Sequence, residues 1–157
     1  MEKNQKEDIE KFMKIAINES KKALKYGEVP IGAVIVQNGK VLSKAFNRRE
    51  NSQIATHHAE ILAIEKACKK LRSWRLDNAD IFITLEPCYM CAGAILNARL
   101  KRVFFGAFDT NSDDKKLLYQ IFKDKRLNHK CEIVGGILEN ECKKTLSDFF
   151  KSKRTKD

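Results

Sequence analysis

Two short stretches of this chain carry the residue types that metal chemistry needs. One is TLEPCYMCAGAI, Thr84 to Ile95, where Cys88 and Cys91 stand three apart directly after Pro87. The other is THHAE, where His58 and Glu60 form an H-x-E. A C-x-x-C by itself has three chemistries: a redox pair, half of a closed structural zinc site, or part of a catalytic one. The redox reading lacks a Trp-Cys-Gly-Pro-type context. A closed structural site needs a fourth ligand, from His57, Cys131 or Cys142. One His and two Cys give Zn²⁺ three ligands and leave a position for water, which is the count of a catalytic centre.

Glu60 extends the catalytic reading. A water on zinc has its pKa lowered to about 7, so it becomes a nucleophile at neutral pH. A nearby carboxylate can take its proton and return it to a leaving group. The H-x-E register selects His58 over His57 as the ligand and leaves Glu60 outside the metal shell. H-x-E followed by P-C-x-x-C, here His58, Glu60, Pro87, Cys88 and Cys91, is the signature of zinc-dependent nucleobase deaminases.

These residues must be held by elements, and the apolar pattern supplies them. Ile9, Phe12, Met13, Ala16, Ala23 and Leu24 recur at helical spacing and predict a first helix from about Glu7 to Tyr26. YGEVPIGAVIV turns into a strand, NGK at Asn38 to Lys40 reads as a hairpin turn, and VLSKAFN is the second strand. HHAEILAIEKACKKL predicts a helix with Ile61, Ile64, Cys68 and Leu71 on one face. ADIFITL is a buried strand, CYMCAGAILNA a helix, RVFFGAF a strand, KLLYQIF a short helix and CEIVGGI a last strand. ENECKKTLSDFFKSKR closes the chain as a helix with Cys142, Leu146, Phe149 and Phe150 in one apolar stripe. The order α-β-β-α-β-α-β-α-β-α predicts an α/β fold, one sheet with helices on both faces. Helices that begin after strands of such a sheet converge at one edge, which is where His58, Cys88 and Cys91 would meet.

The 157 residues suit a single domain, 1–157, with a frayed basic tail at about 151–157. No apolar run approaches a membrane span, and the charged N-terminus has no apolar core of a secretory signal. Five cysteines, an odd number, argue against a disulfide framework and for a reducing cytoplasm. The formal net charge of +10, from 31 Lys and Arg against 21 Asp and Glu, suits a polyanionic partner such as RNA, or else a solvated lysine-rich surface. Cys68 and Cys142 read as core packing, His129 as a structural loop histidine and Trp74 as a seal on a helix end, or else a stacking surface.

The chain resembles the bacterial tRNA-specific adenosine deaminases, within the cytidine deaminase-like zinc family. GEVPIGAVIV, FNRRE, HAEILAI, TLEPCYMCAGAI, RVFFGAFD, LNHKCEIVGGIL and ECKKTLSDFF carry the resemblance, which runs from about Phe12 to Arg154. It implies a three-layer α/β/α fold with a five-stranded mixed sheet, a cytoplasmic homodimer, and a hydrolase that converts the wobble adenosine of a tRNA anticodon to inosine. Zinc-activated water would attack C6 of adenine, with His58, Cys88 and Cys91 as ligands and Glu60 as proton shuttle. The resemblance also implies that Asn47 hydrogen-bonds the flipped nucleoside and that Glu28, Val29 and Pro30 lie along the pocket rim. Asp109 would lie near the nucleotide's backbone, and Phe149, Phe150 and Arg154 would belong to a terminal helix near the RNA.

Two departures from the family concern RNA contacts in the 108–116 segment. Phe108 stands where the family often has arginine. NSDDKK replaces a glycine-containing loop, so Asp113 and Asp114 repel phosphate while Lys115 and Lys116 attract it. Two other readings share parts of this pattern: a deaminase of free bases or nucleosides, such as cytosine or guanine, and a non-catalytic zinc-binding RNA module.

Overall fold

The computed structural model describes residues 2–109 and 120–155. Helix α1 spans Lys3–Lys22 and continues as a 3₁₀ turn, Ala23–Tyr26. Strands β1 (Gly32–Gln37) and β2 (Lys40–Phe46) form a hairpin. Asn38 and Gly39, at φ 53° and 73°, make its two-residue turn, the geometry that matches strand twist. A short helix α2 (Arg49–Ser52) and helix α3 (Ala59–Leu71) follow. Then come β3 (Ala79–Leu85), α4 (Tyr89–Asn97), β4 (Arg102–Ala107), β5 (Glu132–Val134) and α5 (Glu139–Thr155). Residues 120–123 are helical. The start of the helix expected over KLLYQIF, and Asp113 to Lys116, lie outside the described residues.

The five-stranded mixed sheet has the order β2-β1-β3-β4-β5. Strand β1 is antiparallel to both β2 and β3, while β3, β4 and β5 are parallel. Both faces are covered, which is why the central strands are apolar at nearly every position. One face carries Ala33, Ile35, Ile81, Ile83, Val103 and Phe105 against α3 and α4. The other carries Val34, Val36, Phe82 and Phe104 against Phe12, Met13, Ala16 and Ile17 of α1 and Cys142 of α5. The alternation is the two-residue period of a strand read off twice.

Several elements depart from the sequence reading. The first helix begins earlier than Glu7 and tightens to 3₁₀ after Lys22. The last strand is shorter than CEIVGGI: the Phe105 ring tip leaves no room for a side chain at Gly135, and Gly136 turns away at φ 84°. In α3 the buried positions are Ala59, Glu60, Ala63 and Ala67, not the larger apolar residues. Small side chains let this helix lie close to the sheet, so Ile61, Ile64 and Cys68 are half-buried and Leu71 is exposed. Cys142 is core, as expected, and Cys68 packs against the core from its half-buried margin. Trp74 seals nothing: it is 61% exposed, with the Arg75 and Arg99 guanidiniums 5.4 and 5.8 Å from its ring. The tail continues as helix through Thr155.

Candidate active site

Strand directions decide where the chemistry collects. Because β1 runs against both of its neighbours, β2 and β3 point the same way, and β4 and β5 follow β3. The ends of β2, β3 and β4 and the start of β1 therefore share one edge of the sheet. His58 follows β2, Cys88 follows β3, Asp109 follows β4, and Val29 and Pro30 precede β1. A single edge thus receives residues from four separated parts of the chain.

His58 and Cys88 are the N-cap residues of α3 and α4, each in extended conformation with the helix starting at the next residue. His58 Nδ1 lies 3.7 Å from the Cys88 sulfur and 3.6 Å from the Cys91 sulfur. All three donor atoms lie within 4.8 Å of one another. A tetrahedral zinc with bonds of about 2.3 Å to sulfur and about 2.0 Å to nitrogen separates such ligands by about 3.6 Å. The donor set and its spacing therefore fit that ion. Among the described residues no other His, Cys, Asp or Glu joins the group. His57, Cys131 and Cys142 stay outside it, and Cys131 and Cys142 lie in the cores on opposite faces of the sheet.

Electrostatics in the cluster follow from burial and contact. Hydrogen bonding by Cys91, then by His58, holds the Cys88 thiol down at about 4, against the penalty of burial. Cys91 moves the other way, because Cys88 and burial keep its proton in place. The hydrogen bond with Cys88 raises the His58 pKa. Glu60 is 4% exposed in the first turn of α3, and burial pushes its carboxyl above the ordinary carboxylate range, opposed by its backbone hydrogen bond.

The remaining expected residues divide between rim and support. Asn47 is nearly buried: its Nδ2 donates to the Val29 carbonyl at 3.3 Å, and its Oδ1 accepts from the Arg49 N–H at 3.2 Å. Glu28 lies beneath the rim rather than on it. Its side chain is fully buried, and its two oxygens accept the N–H groups of Glu50 and Asn51 at 3.0 and 3.1 Å. Val29 is half-buried and Pro30 buried. Asp109 is exposed, and its N–H donates to Glu86 at 3.1 Å.

Val29, Asp109 and Phe150 line one groove of about 540 Å³, together with Leu85, Phe108, Lys143 and Leu146. Phe149 instead packs inward, edge-on to Phe150 at 5.4 Å, and Arg154 is exposed further along α5. Phe150 thus leaves the apolar stripe expected of it and is 45% exposed. Phe108 is held edge-on against Phe105 at 5.0 Å. Sequence reasoning missed α2 and Glu86. The helical spacing of Lys143, Leu146 and Phe150 was the signal available for the groove.

A family model described as MafB19-like deaminase matches residues 7–154. The tRNA-specific adenosine deaminase of Bacillus subtilis (strain 168) is 49% identical over 147 residues, 94% of this chain and 91% of that protein. A solved structure from studies of A-to-I editing by tRNA:A34 deaminases at the wobble position superposes with a TM-score of 0.80 at 38% identity, covering 86% of this chain and 98% of that one. The guanine deaminase of Bacillus subtilis superposes with a TM-score of 0.62 at 40% identity, covering 65% of this chain and 66% of that one.

Proposed function

The chain belongs to the MafB19-like deaminase family, with the tRNA-specific adenosine deaminases, and we propose that it hydrolyses the wobble adenosine of a tRNA anticodon to inosine, releasing ammonia. The observation that carries this reading is the convergence of His58, Cys88 and Cys91 beside the buried Glu60. Near end-to-end similarity to tRNA enzymes selects the substrate over a free base.

His58 Nδ1 and the sulfurs of Cys88 and Cys91 would hold zinc. When bound, the ion supplies Lewis acidity that makes water a nucleophile near neutral pH. Glu60 takes the proton of the water that adds to C6 of adenine. It returns that proton to the ring nitrogen, then carries the remaining hydroxyl proton to the amine, so ammonia leaves as the C6 carbonyl forms. Its buried position suits both directions, because a carboxyl raised toward neutrality can hold a proton as well as release it. Asn47 is fixed by Val29 and Arg49, so an amide is presented to the nucleoside in one orientation. An anticodon loop supplies a base that is already unpaired, so extruding it costs only a few kcal/mol.

We further propose a homodimer. Its support is the outward face of α3, where Ile61, Ile64 and Cys68 line a groove of about 490 Å³ with Trp74 and Ala94. Among the described residues no helix is long and apolar enough to cross a membrane, and a cytoplasmic location is the one a tRNA substrate would require. The deciding assay compares kcat/KM for an anticodon stem-loop, free adenosine, cytosine and guanine in one buffer. Turnover of a free base equal to that of the stem-loop would replace this reading with a small-molecule deaminase.

A further inference from the structure

Edge strand β2 ends beside a cluster that the reaction centre does not use. Gly27, at φ 68°, reverses the chain after the 3₁₀ turn. Tyr26 then lies on Phe46, with ring centroids 5.8 Å apart and planes 15° from parallel. The Arg48 guanidinium carbon is 5.8 Å from the Tyr26 centroid and 5.9 Å from that of Phe46. The three separations are nearly equal, so the guanidinium touches both rings and lies toward Phe46 from the Tyr26 centroid. Tyr26 is 52% exposed and Arg48 is exposed. Among the described residues no carboxylate pairs with Arg48.

The cluster is held in place from behind. Asn51 Nδ2 donates to the Tyr26 carbonyl at 2.9 Å. The Arg48 N–H donates to the carbonyl of His57, directly before the ligand His58, at 3.1 Å. Phe46 and Arg48 flank Asn47 in sequence, so the cluster adjoins the pocket rim. A rigid exposed ring next to that guanidinium combines the two elements that bind single-stranded nucleic acid, base stacking and phosphate attraction. The net charge of +10 favours the same kind of partner.

We propose that Tyr26, Phe46 and Arg48 form a stacking platform for one unpaired nucleotide of the RNA loop, outside the reaction centre. Tyr26 receives the base on its outer face and Arg48 the phosphate. This rests on the tRNA reading above.

The test uses the zinc-loaded protein and an anticodon stem-loop. Tyr26→Ala should raise both Kd and KM about tenfold, as expected for the loss of one stacked base. Tyr26→Phe should restore parent binding, because the ring and not the hydroxyl does the stacking. Arg48→Gln should flatten the log–log salt dependence of binding by about 0.7, the value for one neutralised phosphate. Stem-loops carrying an abasic site at each unpaired position in turn should reveal one position whose loss does not add to that of Tyr26→Ala. Zinc content equal to the parent's confirms that the variants fold.

If the parent deaminates the stem-loop while both variants bind it normally, or abasic losses add at every position, the platform is wrong and the deaminase reading stands. If the parent neither binds nor deaminates the stem-loop, the substrate reading falls and takes the platform with it. A change in sedimentation mass in Tyr26→Ala, without a change in RNA affinity, would make the cluster a protein contact and overturn the proposal.

Discussion

His58 Nδ1 lies 3.6 Å from the Cys91 sulfur, although 33 residues separate the two in the chain. Two different strand ends deliver them to one edge, and the separation is that of neighbouring ligands around one small ion. Donors held at that distance by backbone elements are pre-arranged for a metal, so binding does not have to organise the site.

Removing a ligand and removing the proton carrier should therefore have different outcomes. Cys91→Ala leaves two protein ligands and should lose stoichiometric zinc together with activity. Glu60→Ala should keep its zinc and lose about 10²–10⁴ in turnover. Metal analysis of both purified variants separates the roles. Loss of zinc in the Glu60 variant would make Glu60 a ligand.

Glu28→Gln should destabilise the fold. The amide presents a donor to one of two backbone N–H groups that now meet carboxylate oxygens, leaving that N–H unsatisfied. The cost is about 1–3 kcal/mol, or a Tm lower by roughly 2–12 °C for a chain of this size. Calorimetry on matched zinc-loaded samples measures it. An unchanged Tm would mean that water replaces the missing acceptor.

Thiol reactivity should sort the cysteines by environment. Burial pushes Cys131 and Cys142 up to about 12, so at pH 8 only about one in ten thousand is a thiolate. Cys88, held at about 4, is a thiolate at pH 8 once the metal is gone. Chelation followed by timed alkylation and mass spectrometry should label Cys88 first, with Cys131 and Cys142 resistant until the protein unfolds. Early labelling of Cys142 would show that α5 opens readily.

The end of α5 should contribute to RNA affinity through charge. Lys151, Lys153 and Arg154 are exposed along its last turns. Truncation after Phe150 should reduce the slope of log affinity against log salt by about 0.7 for each phosphate that this helix end neutralises. Filter binding across a salt series gives that slope. If it does not change, these residues are a solvated helix end.

The legible parts of this molecule were those written in spacing. The H-x-E and P-C-x-x-C stretches each open a helix after extended chain, so their approach to each other could be read without coordinates. The five-stranded mixed sheet was legible through its resemblance to a known family, and its buried strands through their apolar runs. Three features were not legible. Helix α2 has four residues and no apolar repeat to announce it. The resemblance puts Glu28 on the pocket rim, and its buried supporting role shows only once its two backbone donors, more than twenty residues away, are known. Helix α3 misleads because large apolar residues suggest a buried face, whereas here close approach to the sheet selects alanine.

That arrangement in α3, with alanines innermost and isoleucines only half-buried, has a thermodynamic consequence. Covering Ile61 and Ile64 with a second copy of the chain would add apolar burial that a lone protomer lacks. Folding and association would then be linked equilibria, and the midpoint of thermal unfolding would rise with protein concentration by mass action. Dilution would weaken the enzyme before any residue near His58 or Cys88 had moved.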